Sequence, residues 1–487
     1  MIQRRVQTNF FPPREIRRLI QETLPEETDT HGEPPKYGFL YVPTAHVRAL
    51  HPDSMLVVGT RGAGKSVWWA ALQDPDYRKL VVAQTTRTAP FDDNTIVSPG
   101  FGVRKNPRDY PDKEIFRKLI GIYEPELIWR TIITWHVTGK EDGLLRHTKA
   151  WEERVGWILQ HPEETSHALF DADRKLADKK QQHLIVFDAL DRTASTWNDL
   201  KSLLRGLLQA ALDFRSFYSL RAKAFVRPDM LDDPEVSSFP DASKVLSSRV
   251  SLDWPRADLY GLLWQHLSNG QRFGRAFRDR CNNIFGLTWR EFMGVWRVPS
   301  ELRKNEETQR SVFHAIASPY MGKDQRRGAA YTWLPNHLAD AHKKVSPRSF
   351  LSAIRTAALS DTNSNKDVPI FYEAIKLGVQ EASKIRVKEI QEDHKWIGIA
   401  MKPLRDLVIP CDFTDVYRRW KEADVISELQ RHRDIRPKRL DRGFAGVRED
   451  LLELGVFEQM PDGRINMPDV YRVGFGLKRK GGIKPIR

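Results

Sequence analysis

The chain has 487 residues, 40% hydrophobic and 29% charged, which is too apolar for a disordered polymer and long enough for roughly three domains. Its two cysteines, Cys281 and Cys411, lie far apart with no CxxC or His/Cys cluster, which argues against a disulfide framework or a zinc site. Lys and Arg outnumber Asp and Glu by 78 to 64, and the net charge of +14 favours polyanions, chiefly nucleic acid, although a dispersed solvated surface gives the same sum.

The opening stretch, MIQRRVQTNFFPPREIRR, has no apolar core of signal-peptide length. No run reaches the ~18 uncharged apolar residues of a transmembrane helix. A cytoplasmic protein with no membrane partner is expected. Residues 1–50, rich in Pro, Arg and Glu, read as a leader packed on the next domain, with a short helix near Arg14–Thr23. Short β-like runs follow: MLVV (55–58), KLVVAQ (79–84), HLIVFD (183–188), AKAFV (222–226) and RVSL (249–252). Helical patterns such as DKEIFRKLIGIY and WNDLKSLLRGLLQAALDF separate them, and strands alternating with helices predict a parallel sheet. The spacing predicts a parallel-sheet core over 51–253 with a helical insertion at about 105–180. Residues 254–380 read as a helical lid, in which ADLYGLLWQHL, WREFMGVW and SFLSAIRTAAL are amphipathic.

Gly59-Thr60-Arg61-Gly62-Ala63-Gly64-Lys65-Ser66 satisfies GxxxxGK[ST] between a strand and a helix. Glycines let the loop curl so that backbone N–H groups face phosphates, and the helix adds the positive end of its dipole. Lys65 reaches the β/γ phosphates, and the Ser66 hydroxyl ligates Mg²⁺. The second half of such a site is LIVFDALDR: an apolar strand ends in Asp188, whose carboxylate holds Mg²⁺ directly or through water. The acid that commonly follows is replaced by Ala189. That leaves Asp191 either as the base that positions water or as a helix N-cap. Trp68 and Trp69 read as packing residues.

DALDR resembles the signature of STAND-type NTPases and is similar to the DxxDR of KAP-type NTPases. Both belong to the AAA+-related branch of P-loop NTPases, and the resemblance implies a strand inserted between the two nucleotide motifs. AKAFV supplies one, and Arg227 after it becomes the candidate γ-phosphate sensor. Ser248-Arg249 stands where such proteins carry an arginine finger for a neighbouring subunit. SPRSFLSAIRTA resembles the start of a sensor-2 helix and marks Arg348 as a nucleotide contact. Arginine suits these roles through its permanent charge and two-pronged grip. The resemblance further implies ATP, Mg²⁺, a homo-oligomer and a sensor or effector protein partner. It also implies a switch in bacterial antiviral defence, while Ala189, a departure from the pattern of ordinary AAA+ motors, implies slow hydrolysis. Two alternatives stay open: a DNA-replication or plasmid-maintenance loader, and a non-hydrolysing adaptor that holds nucleotide for its fold.

Residues 381–487 read as helices, a hairpin and a basic tail, similar to a winged helix. FAGVREDLLELG is amphipathic with Gly455 as its C-cap, and VFEQM and RINM flank the turn Pro461-Asp462-Gly463. Two basic clusters, over 431–442 (Arg431, Arg433, Arg436, Lys438, Arg439, Arg442) and over 478–487 (Lys478, Arg479, Lys480, Lys484, Arg487), are the candidate DNA contacts. Glu449, Asp450 and Glu453 count against the helix between them entering a groove.

Overall fold

The computed structural model describes residues 11–26, 33–85, 91, 94–140, 142–364, 366–432, 436–480 and 483. By contact the chain divides into two compact units, one of residues 29–253 and one of residues 1–28 with 254–487. Of the expected leader, the helix Pro13–Thr23 belongs to the second unit. There Arg355 donates to Gln21 O at 2.7 Å and His266 hydrogen-bonds Thr23 O at 2.8 Å.

The first unit is built on a parallel sheet of β1 (Leu56–Val58), β2 (Ile96–Phe101), β3 (His183–Phe187), β4 (Leu220–Val226) and β5 (Val250–Ser251). The order is β2-β3-β4-β1-β5. β1 and β3 are buried along their whole length, as continuous apolar runs in a covered parallel sheet must be. Ala224 of β4 lies opposite Leu56 of β1 on one side and Phe187 of β3 on the other. The strand expected between the two nucleotide motifs is therefore in place, and the unit has the parallel-sheet core of a P-loop NTPase. Helices Lys113–Ile120, Pro125–Val137, Trp151–Gln160 and Pro162–Asp178 fill the interval between β2 and β3. They share one apolar core with helix Trp197–Phe214, where the Trp129 indole donates to Leu203 O at 2.8 Å.

One expected strand is a helix. KLVVAQ belongs to Pro75–Gln84, which begins on a capping Asp74 that accepts from Asp76 N at 2.8 Å, with proline in the first turn. The sheet takes β2 instead, whose sequence IVSPGF contains Pro99. β2 is the edge strand, the position where a missing N–H is tolerated. Inside the sheet, Lys223 of β4 is fully buried. Its ammonium donates to the carbonyls of Ala49, His51 and Ser54 at 2.7, 2.8 and 2.6 Å, fastening the segment just ahead of β1.

The second unit is mainly helical. WREFMGVW, expected as helix, is instead the antiparallel hairpin β6 (Arg290–Phe292) and β7 (Val295–Arg297). Met293 and Gly294 turn it with φ of +52° and +76°, the left-handed pair that a two-residue hairpin demands. Near the C-terminus, helix Gly443–Glu453 precedes the hairpin β8 (Glu458–Gln459) and β9 (Ile465–Asn466). A core of Trp420, Val447, Phe457 and Tyr471 lies beneath them. No helix among the described residues is long and apolar enough to cross a membrane.

Candidate nucleotide site

The loop from Gly59 to Gly64 leaves the C-terminal end of β1 and enters helix Lys65–Gln73. Gly59 N donates to Val226 O at 3.1 Å, so the loop starts tied to the end of β4. A Cβ at Gly59 would stand 3.2 Å from that of Ala63 and 3.3 Å from Lys65 Cγ, closer than side chains normally sit. Gly62 and Gly64 have φ of +76° and +101°, which L side chains rarely adopt. Lys65 Nζ donates to Gly59 O at 2.7 Å and to Thr60 O at 3.1 Å, so the ammonium spans the loop it would share with phosphate.

β3 brings Asp188 to the same end of the sheet, where its N–H donates to Phe101 O at 3.0 Å. Its side chain is 1% exposed. Burial pushes the carboxyl above its ordinary value; a hydrogen bond from Ser66 and the nearby Lys65 charge oppose this, and Asp191 adds to it. Asp188 Oδ2 is buried with no hydrogen-bond partner among the described residues. The structure thus brings together Ser66 and Asp188, the two predicted metal ligands, and leaves one carboxylate oxygen with its bonding capacity unmet. Such an atom is costly to bury unless something binds it. A hard divalent cation with oxygen ligands fits.

Ala189, where a catalytic acid was missed in the sequence, has φ of +55° and turns the chain into the short helix Leu190–Arg192. Asp191 lies exposed on that turn. It caps no helix here, because helix Trp197–Phe214 is capped by Thr196, which accepts from Asp199 N at 3.2 Å. Arg227 follows β4 directly, beside the Val226 carbonyl that holds Gly59. Its guanidinium donates to both carboxylate oxygens of Asp229, at 3.1 and 2.8 Å. Arg249 is exposed and has no side-chain partner among the described residues. Because Val250 pairs with Val57, Arg249 lies level with Leu56, at the end of β1 away from its own loop. Arg348, in the second unit, starts helix Pro347–Leu359 and donates to Glu389 Oε1 at 2.7 Å, while Arg386 takes Oε2 at 3.3 Å.

Sequence reasoning passed over Trp68 and Trp69 as packing and did not single out His46. The two indoles turn out to be hydrogen-bonded, Trp69 to Val186 O at 3.2 Å and Trp68 to His46 Nδ1 at 3.0 Å. Two adjacent tryptophans were the available signal, since a buried indole N–H seeks an acceptor. A cavity of about 580 Å³ lies elsewhere, among Ile122, Glu126, Arg130 and Leu159 of the helical insertion, and bears none of this chemistry.

The basic clusters are largely neutralised from within. Lys438 pairs with Glu453 at 2.9 Å, Arg439 reaches Asp450 and Glu453, Arg442 reaches Glu449, and Arg431 pairs with Glu428 at 2.7 Å. Arg436 donates to the Gln430 carbonyl. In the tail, Lys478 pairs with Asp406 at 2.8 Å and Arg479 is held by Asp469 and Asn466 at 3.2 and 2.6 Å. Arg433, Lys484 and Arg487 lie outside the described residues.

The chain matches no protein-family model and no curated protein. Among solved structures it is similar to Cdc6p from Pyrobaculum aerophilum, at 11% identity and a TM-score of 0.29 over 87% of this chain and 83% of that one. It is also similar to the Aeropyrum pernix ORC2 protein in its ADPNP–ADP complexes, at 11% identity and a TM-score of 0.28 over 90% of this chain and 98% of that one. Overlaps this slight tie the chain to neither protein.

Proposed function

We propose that the chain binds Mg²⁺-ATP at the Gly59–Ser66 loop, hydrolyses it slowly and uses the bound state to assemble with copies of itself or a partner. The observation that carries this is the buried, unpartnered Oδ2 of Asp188 beside the Ser66 hydroxyl and the Lys65 ammonium. Ser66 and Asp188 would hold Mg²⁺, which when bound neutralises charge on the β and γ phosphates. The loop N–H groups cradle the phosphates, and Lys65 exchanges the Gly59 and Thr60 carbonyls for phosphate oxygens. Arg227 reaches the γ-phosphate only by sharing or leaving Asp229. Asp191 orients the attacking water from an exposed turn, and Ala189 stands where an acid would directly follow the strand, which supports slow turnover. Arg249, at the far end of β1, serves the loop of a neighbouring copy. Arg348 as a nucleotide contact rests on the resemblance, as does adenine over guanine. The C-terminal helices and hairpin serve as a winged-helix docking module.

The DNA-loader alternative shares this core. DNA-stimulated turnover would favour the loader.

The test is labelled-ATP binding with and without Mg²⁺. Lys65→Ala should lower affinity by roughly 10²-fold, the equivalent of the ~1.5–3 kcal/mol of a charged hydrogen bond, with an unchanged melting midpoint in the absence of nucleotide. Asp188→Asn should remove the Mg²⁺-dependent gain. Wild-type affinity in Lys65→Ala would overturn the site.

A further inference from the structure

The two tryptophans of the loop helix donate their indole N–H groups to different parts of the core. Trp69 donates to Val186 O at 3.2 Å, on β3 two residues before Asp188, and so fixes the helix to the strand that carries the metal carboxylate. Trp68 donates to His46 Nδ1 at 3.0 Å, and His46 Nε2 lies 3.1 Å from Asp253 O. An indole N–H can only donate, so Nδ1 must accept, the ring proton sits on Nε2, and Nε2–H donates to the Asp253 carbonyl. His46 and Trp68 are buried, at 0% and 2% exposure. Burial drives the His46 pKa down to about 3, against a smaller opposing effect of the Asp253 carbonyl, so the ring is neutral and keeps one donor and one acceptor at any ordinary pH.

Both ends of this chain of bonds matter. Trp68 N donates to Gly64 O at 3.0 Å, one turn from Lys65 and Ser66, so a shift of the loop helix moves the indole. Asp253 is the last residue of the unit 29–253, and the second unit resumes at Trp254. The same backbone is tied to the loop a second time, since Leu252 N donates to Val58 O at 2.7 Å and a Cβ at Gly59 would stand 3.4 Å from Leu252 Cβ.

We propose that His46 is a positioning residue that links the phosphate-loop helix, through Trp68, to the backbone at 252–254, so that nucleotide binding is felt where the core unit ends. This rests on the nucleotide-binding reading above. Coupling of this kind needs no contact between His46 and the ligand, only a bonded path whose geometry the ligand biases.

The experiment is amide hydrogen exchange of the full chain, with and without Mg²⁺-ATP, read at peptides covering 250–256, alongside labelled-ATP affinity. Wild type should show nucleotide-dependent slowing there. Trp68→Phe keeps an aromatic ring but loses the N–H. It should bind Mg²⁺-ATP within about threefold of wild type while the nucleotide-dependent change shrinks about fivefold, the scale of one hydrogen bond. His46→Leu should behave alike. His46→Gln, which retains a donor and an acceptor, should restore part of the change, a rescue that loss of packing alone would not give. If His46→Leu fails to fold, Trp68→Phe carries the test. A wild-type response in Trp68→Phe, or wild-type binding with no change at 250–256, overturns the linkage and leaves the nucleotide site standing. A wild type that binds no Mg²⁺-ATP overturns both, and the affinity arm reports which has happened.

Discussion

The sheet end that carries the phosphate loop and the C-terminal module both concentrate charge, but they treat it in opposite ways. At the loop, Asp188 keeps a buried oxygen without a partner, and Lys65 rests on two backbone carbonyls of its own loop. In the C-terminal module several of the described cations are already paired: Lys438, Arg439 and Arg442 meet Glu449, Asp450 and Glu453 of the next helix, and Lys478 meets Asp406. Composition ranks the second region as the better ligand surface, because it is rich in Lys and Arg. Bonding capacity ranks the first, because a ligand there completes groups that the fold leaves incomplete, whereas DNA at the second must first displace carboxylates. Exposed ion pairs are worth little individually, but each one lowers the number of counterions a phosphate can release.

The largest effect that would sharpen this contrast is expected at Arg249, an exposed arginine with no side-chain partner among the described residues. Arg249→Ala should keep ATP affinity and lose about 10³-fold or more in turnover, the scale of an arginine supplied in trans. Mixing it with Lys65→Ala should restore part of the activity, since one interface then joins an intact loop to an intact arginine. Turnover independent of protein concentration, with no rescue on mixing, would reduce Arg249 to a surface residue.

A smaller effect separates the two regions by pH. Burial raises the Asp188 carboxyl, and a metal ligand must be ionised, so Mg²⁺-dependent binding should fall as pH drops through a value above the ordinary 3.8. In the other region burial alone would raise Glu453, but hydrogen bonds from Lys438 and Arg439 outweigh it and hold the carboxyl below 4.5. Stability from those pairs is present above that value and is lost only as pH falls through the lower one. Titrating ATP affinity and unfolding free energy on one sample should show binding failing first; the reverse order would contradict the contrast.

The smallest effect is expected where the charge is already spent. Lys438→Ala with Arg442→Ala should change DNA affinity by less than about threefold and leave the salt slope within about one unit of wild type. A slope lower by about two would mean that both cations leave their carboxylates for phosphate.

Much of the core was legible because its signals are local. MLVV, HLIVF and AKAFV are runs that the sheet buries, RVSL contributes only the short β5, and the loop motif fixes its own geometry through Gly62 and Gly64. KLVVAQ misled because four apolar residues read alike in a strand and a buried helix, while the helix start at Asp74-Pro75 lay just upstream. β2 was hidden by Pro99, which only an edge position tolerates, and edge position is a property of the whole sheet. WREFMGVW has helical spacing, but Met293 and Gly294 adopt positive φ and close a hairpin. Pairing of the basic clusters was legible only in part: Glu449, Asp450 and Glu453 were visible, but not that each faces a particular cation. His46 carried no signal, because its partners Trp68 and Asp253 are far from it in sequence.

The strand order has a consequence for how the chain is made. β1 and β3 carry the two nucleotide motifs, yet neither pairs with the other; each pairs with β4, which is synthesised last of the three. Lys223 also comes from β4, and until it arrives the carbonyls of Ala49, His51 and Ser54 lack the ammonium that binds them. A nascent chain that has already released both motifs can pair β3 with β2, but it has nothing that joins β1 to them. Non-local pairing of this kind slows folding and leaves apolar strands exposed in the meantime. The two halves of the proposed nucleotide site join only when β4, the central strand, fills the gap between β1 and β3.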